Sequence, residues 1–266
     1  MSRARTAPVV IARHGDLVVE RDPLRPSGRL LRQGDMDASY IDLADPSHLE
    51  FDYLRWMRIV LRSVRARRVL HVGGGACALA RALAAEDPSG RQEVCEVDAD
   101  VLALSREHLG LHRTRGLRVR HAEGRAFVAG QARGSWDAIV VDAFVGAAVP
   151  RTLITAQAAA EFARAAPVAL VNVVDNRSAG QVRAVGAALA EAFAHVFTLG
   201  GRAGNTVIAG SAAAPSVERI AAQAAADPSP ARVTAPVAVR RMIAGTLAPR
   251  DEVSSLAIVL SGDLST

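Results

Sequence analysis

The chain has 266 residues, half of them apolar but only 4% aromatic, so any core must be built mainly from Ala, Val and Leu; that length can bury a substantial core in one α/β domain with an appendage. The net charge is +5 and all 32 basic residues are Arg, spread along the chain with no aromatic residues in their densest run, 62–68. Nucleic acid is therefore not an expected partner. No stretch approaches 18 uncharged apolar residues, so no membrane span is expected.

The N-terminus shows no signal-peptide pattern. Cys77 and Cys95 fall in apolar segments. They read as free thiols in a reducing cytoplasm.

Residues 1–45 contain short β-like runs, Val9-Val10-Ile11, Leu17-Val18-Val19 and Arg29-Leu30-Leu31, separated by Gly, Pro and Asp. They read as hairpins of a small N-terminal appendage. Asp45-Pro46-Ser47 reads as a helix start, followed by Leu49, Tyr53, Trp56, Met57 and Val60 at helical spacing. From Arg68 onward, strand and helix alternate. Strands are expected at 69–72, 93–97, 117–120, 138–141 and 168–174, and helices at 78–85, 99–109, 156–165 and 180–193. Such alternation implies a parallel, doubly wound sheet.

The runs 195–199 and 205–209 are joined by a short Gly-rich loop, with no helix between them. They form a terminal antiparallel hairpin, which separates methyltransferase-like sheets from nicotinamide-binding ones. After Pro215 a helix is expected at 217–226, then a Pro- and Ser-rich stretch that reads as a lid or packing tail. The expected organisation is therefore an appendage (1–45), a Rossmann-like nucleoside-binding domain (46–215) and a tail (216–266).

Three groups of residues could carry chemistry, the first being a glycine turn taken together with the acids that end the next strand. Gly73-Gly74-Gly75-Ala76-Cys77-Ala78 joins the first strand of the core to its helix with G-x-G-x-x-A spacing. Glycine lets backbone approach a ligand closely, and the helix N-terminus offers free N–H groups. Glu96, 21 residues beyond Gly75, and Asp98 end the second strand of the core. A carboxylate there can accept hydrogen bonds from both ribose hydroxyls; the alternative is a surface acid. Ala122-Glu123-Gly124 follows the third strand of the core, where a polar side chain can reach an adenine amino group or simply occupy a surface loop. Asp142 follows the very apolar Ile139-Val140-Val141 at the ligand-facing end of the fourth strand of the core. It suits a partly desolvated general base or amine anchor, or else a helix cap. His48, His71, His108, His112, His121 and His195 show no metal-ligand spacing with the two cysteines, so no metal site is expected.

Asp45-Pro46-Ser47-His48-Leu49-Glu50-Phe51-Asp52-Tyr53, the glycine turn, Glu96-Val97-Asp98, Ala122-Glu123-Gly124-Arg125 and Trp136 to Phe144 together resemble the spermidine synthase family of polyamine aminopropyltransferases, especially its divergent bacterial members. The similarity runs over residues 30–209, with a weaker echo at Thr246-Leu247-Ala248-Pro249. The resemblance implies an N-terminal β-appendage that assists oligomerisation, with a dimer expected, ahead of a methyltransferase-like sheet. It implies a decarboxylated S-adenosylmethionine donor over the glycine turn. The positions of Glu96, Glu123 and Asp142 then correspond to the residues that hold ribose, hold adenine and receive the attacking amine.

Three positions depart from the family pattern. The Asp usual after the glycines is Ala76, the Gln before Ser39 is Ala38, and the usual Tyr-His-Glu is Phe51-Asp52-Tyr53. Three functions stay open: a spermidine synthase-like transferase acting on an amine or other nucleophilic small molecule, a small-molecule methyltransferase using intact S-adenosylmethionine, and a non-catalytic nucleoside-binding scaffold.

Overall fold

The computed structural model describes residues 8–146, 148–175, 179–200 and 204–252; residues 201–203 of the expected hairpin loop, the first seven residues of the appendage and the last part of the tail lie outside them. Short alternating runs with tight turns at the start of the chain form four strands, β1 (Val9–His14), β2 (Leu17–Arg21), β3 (Gly28–Gln33) and β4 (Met36–Asp42), hydrogen-bonded in that order as an antiparallel meander. The fourth strand was not expected. Its sequence, Met-Asp-Ala-Ser-Tyr-Ile-Asp, hides the pattern because two of its buried residues, Ser39 and Asp42, are polar. Asp42 is satisfied by the Arg25 guanidinium at 2.8 Å and the Ala44 backbone N–H at 2.9 Å.

Helix α1 (Asp52–Ser63) starts later than the Asp45-Pro46-Ser47 signal suggested. The Asp45 carboxylate instead accepts from the backbone N–H and hydroxyl of Ser47, closing a local turn that competes with helix initiation. One face of α1 buries Tyr53, Leu54, Trp56, Met57, Val60 and Leu61.

The main sheet follows. Its strands are β5 (Arg68–Gly73), β6 (Arg91–Glu96), β7 (Leu117–His121), β8 (Ala138–Asp142), β9 (Val168–Asp175), β10 (His195–Gly200), β11 (Gly204–Ser211) and β12 (Arg232–Thr234). Their spatial order is β12-β10-β11-β9-β8-β5-β6-β7. Strands β5 to β9 pair in parallel, and the β10–β11 hairpin packs antiparallel onto β9 through β11. The fold is thus α/β, a Rossmann-like, methyltransferase-type doubly wound sheet with a terminal antiparallel hairpin behind a small N-terminal β-appendage.

Helices α2 (Ala78–Glu86), α3 (Ala99–His108), α4 (Gly124–Ala129), α5 (Ala156–Ala165), α6 (Gly180–Ala192), α7 (Val217–Ala225) and α8 (Pro236–Ile243) cover both faces. Alternate residues of the central strands divide between two cores. Val140 and Leu170 pack with α1, α2 and the N-terminal strands, while Ile139, Val141 and Val171 pack with α5 and α6. Buried on both faces, these strands read as continuous apolar runs.

Past Pro215, β12 extends the sheet edge beside β10, and the loop before it is tied to α1. Trp56 donates its indole N–H to Ser229 O at 2.9 Å, and Arg55 pairs with Asp227 at 2.9 Å.

Strand order reverses between β5 and β8: the chain lays β6 and β7 on one side of β5, then returns to place β8 on the other. Open α/β sheets bind ligands at the carboxyl ends of the strands flanking such a reversal. Parallel pairing sets Gly73, the last residue of β5, directly opposite Asp142, the last residue of β8. Two of the three residue groups singled out above are therefore neighbours by register.

Candidate functional site

The carboxyl ends of β5, β6, β8 and β9 form the floor of a cleft of about 700 Å³, roofed by Leu31, Met36 and Ala38 of the N-terminal sheet and by Tyr53 of α1. That volume is in the range of small-molecule sites. The glycine turn forms its centre. Gly73 has φ +74°, and a Cβ on it would lie 2.7 Å from the Asp142 carbonyl oxygen and 2.8 Å from Ala143 Cα. Only glycine lets β5 turn away while β8 stays this close. Cys77, the N-cap of α2, gives no side-chain hydrogen bond to the helix, so the first-turn N–H groups beyond the turn have no side-chain partner from the cap.

Glu96 closes β6 on one side of the turn. Its side chain is only 9% exposed, and it accepts the Asp98 N–H at 3.0 Å. Burial pushes its pKa up, and backbone N–H groups of Asp98, Val97 and Gly75 pull it back down. The carboxylate is thus anchored between the second strand of the core and the glycine turn.

Asp98 and Glu123 also line the cleft, but each serves as a helix N-cap. Asp98 accepts from the N–H groups of Asp100 and Val101 at 2.9 and 3.1 Å. Glu123 accepts from those of Arg125 and Ala126 at 2.9 and 2.6 Å. Gly124 lets the start of α4 sit against β5, since a Cβ there would collide with Val72. Arg125 points elsewhere and holds Glu161 with two contacts at 2.6 and 2.9 Å.

Asp142 lies on the other side of the turn and caps no helix. Its Oδ2 accepts the Tyr53 hydroxyl at 3.1 Å, and its Oδ1 accepts Asn172 Nδ2 at 3.0 Å. Burial raises its pKa, while the two donors, Asn172 first, oppose the rise. The Tyr53 hydroxyl is pushed well above its ordinary pKa by burial and by the adjacent carboxylate, so it stays a donor. The arrangement holds one carboxylate in a chosen orientation, with a lone pair left on each oxygen for an incoming N–H or O–H.

Asn172 was not singled out in the sequence. Its only signal is a polar residue within the apolar strand Val-Ala-Leu-Val-Asn-Val-Val. Of the two aromatic residues at helical spacing on α1, Trp56 is core, but Tyr53 also reaches the site.

Other reactive residues are locked in the interior. His71 is buried, pairs with Gln92 Oε1 at 3.0 Å, and has its pKa lowered by burial to about 4. The Cys77 and Cys95 thiols are raised by burial to about 12 and stay protonated. Ala76 is fully buried in the core cluster that contains Leu49 and Leu79. Among the described residues, no group of three His, Cys, Asp or Glu is placed to hold a metal ion, and no helix is long and apolar enough to cross a membrane.

Among solved structures, the chain is similar to a probable spermidine synthase from Corynebacterium glutamicum ATCC 13032, with 27% identity, a TM-score of 0.84, and coverage of 94% of this chain and 99% of that one. The chain is spermidine synthase-like. A spermidine synthase in complex with the transition state analogue AdoDATO aligns over 79% of this chain and 76% of that one, with TM-score 0.63 and 16% identity. Human methyltransferase-like protein 13 in complex with SAH aligns over 78% of this chain and 97% of that one, with TM-score 0.54 and 17% identity. These two show a shared fold. No family model and no curated protein matches the chain. The fold of the chain is the one shared by these spermidine synthases and by the methyltransferase-like protein.

Proposed function

We propose that this spermidine synthase-like protein transfers an alkyl group from an S-adenosylmethionine-type sulfonium donor to a small-molecule nucleophile, with Asp142 as base and anchor. The observation that carries this reading is the Asp142 carboxylate, held by Tyr53 and Asn172 directly opposite the glycine turn. Gly73, Gly74 and Gly75 bring backbone close to the nucleoside, and Glu96 accepts the ribose hydroxyls. Asp98 and Glu123, already bonded to backbone N–H groups, line the nucleoside's side of the cleft beside Gly124. Adenine lies near Glu123. No metal takes part.

The donor supplies an electrophilic carbon next to a positively charged sulfur, which leaves as a neutral thioether. Asp142 takes a proton from the acceptor's ammonium, and the nitrogen lone pair then displaces that thioether. Holding acceptor and donor in line lowers the entropic part of the barrier. A base placed this way contributes about 10²–10⁴-fold. Aminopropyl transfer from decarboxylated S-adenosylmethionine is the first reading. Methyl transfer from intact S-adenosylmethionine is the second, favoured by Ala76, which leaves the residue after the glycines apolar and buried.

The protein works in the cytoplasm as a dimer in this account. Two buried free thiols fit a reducing compartment. Val9, Val10 and Ile11, each 39–48% exposed on the edge strand β1, offer an apolar surface to a second copy, which sedimentation equilibrium would reveal.

The test is product analysis by mass spectrometry with each donor and an amine mixture. Asp142→Asn, which keeps the shape, should lower turnover at least about 100-fold with unchanged donor affinity. An equally active variant removes Asp142 from the reaction.

A further inference from the structure

The two halves of the cleft differ in their acids, and that difference speaks to the acceptor. Sheet order puts Glu96 and Asp98 on the β6 side of the glycine turn, with Glu123 just past β7. Opposite them, the ends of β8, β9 and β11 contribute Asp142, Phe144, Val145, Asn172, Val174 and Asn205. Among the described side chains of that half, Asp142 is the only carboxylate. Asn172 and Val174 sit two residues apart on β9, and Val174 pairs with Asn205 on β11, so the wall leading away from Asp142 is apolar and then neutral. Val174 and Val145 are 37% and 74% exposed, apolar surface left open towards the cleft mouth. Asp37, the acid that β4 adds to the cleft lining, is ion-paired with Arg32 at 3.3 Å.

A diamine crossing this half would place one ammonium on Asp142 and leave the second against Val174 and Phe144, where the described side chains offer no carboxylate. Removing an ammonium from water without a partner is costly. An acceptor with one amine on an apolar body meets both features at once. We infer that the acceptor is a primary monoamine with an apolar body, its amine on Asp142 and its body along Val174 and Phe144. This rests on the transfer reaction proposed above.

The step balances. The substrate ammonium gives one proton to Asp142, its nitrogen lone pair forms the new N–C bond, and the C–S bond breaks with its electron pair going to sulfur. The nucleoside leaves as a neutral thioether, the product is a secondary ammonium, and Asp142 returns its proton to solvent.

The test compares matched acceptors on the full-length protein: n-pentylamine against 1,5-diaminopentane, and phenethylamine against putrescine. Donor binding is first measured by calorimetry, and kcat/KM is read from thioether nucleoside release. The monoamine of each pair should be favoured by at least about tenfold. Val174→Glu, at a half-exposed strand end, should shift the ratio at least about tenfold towards the diamine, in line with a charge-assisted hydrogen bond. A wild-type preference for diamines, or donor binding with no amine turned over, overturns the monoamine assignment while leaving the donor site in place. Failure to bind any donor overturns both.

Discussion

At the residue scale, the site depends on how Asp142 is tuned. Burial raises its pKa, and the Asn172 and Tyr53 donors restrain the rise. Removing the Tyr53 hydroxyl therefore raises the pKa further. A base must be deprotonated to act, so in Tyr53→Phe the acid limb of the kcat/KM profile should move to higher pH. On that limb, activity at a fixed pH should fall roughly 10-fold for every pH unit the limb moves. The pH–rate profile of the variant checks this, and an unmoved limb would show that Tyr53 does not act through Asp142. Glu96 is a different case. Its carboxylate is also pushed up by burial, but it is anchored by backbone N–H groups, which suits a fixed acceptor for hydroxyl groups better than a proton carrier.

At the scale of elements, the junction of β5, β8 and α2 is the tightest point of the site. Gly73→Ala would impose a positive φ on a side chain and drive its Cβ against β8 backbone. It should lower stability by roughly 2–4 kcal/mol, read by urea denaturation. The central strands β8 and β9 were legible in sequence because, buried on both faces, they are nearly unbroken apolar runs. The terminal hairpin was legible from its short Gly-rich loop. Strand β4 was not, because Ser39 and Asp42 are buried polar residues inside the fold. The start of α1 was misplaced because Asp45 spends its carboxylate on a local turn. In the site, the glycine turn could be read from spacing and Asp142 from the apolar run it follows. Their meeting with Asn172 could not, since residues 30 apart become partners only through the β8–β9 pairing. Asp98 and Glu123 carry the same carboxylate chemistry as Glu96, and only the backbone shows that both cap helices.

At the scale of the whole molecule, acid should loosen the fold through His71. Its folded pKa of about 4 lies below the ordinary value of 6.5, so the unfolded chain binds the proton more readily. The stability this neutral histidine preserves is complete above pH 6.5 and is lost as pH falls to 4, about 3 kcal/mol over that window. Denaturation midpoints at pH 7.5 and 4.5 should show the loss. His71→Leu should flatten it, although Gln92 Oε1 then loses its contact with the imidazole.

Sheet order, glycine turn and paired carboxylate all converge on one cleft, and the central claim is that this cleft holds a sulfonium nucleoside or its thioether product. Calorimetric titration of the full-length protein with methylthioadenosine, S-adenosylmethionine and decarboxylated S-adenosylmethionine tests it most directly. At least one should bind with one site per chain, and Glu96→Gln should weaken it by roughly tenfold or more through loss of charge-assisted bonds to ribose. Absence of heat with all three nucleosides would contradict the claim.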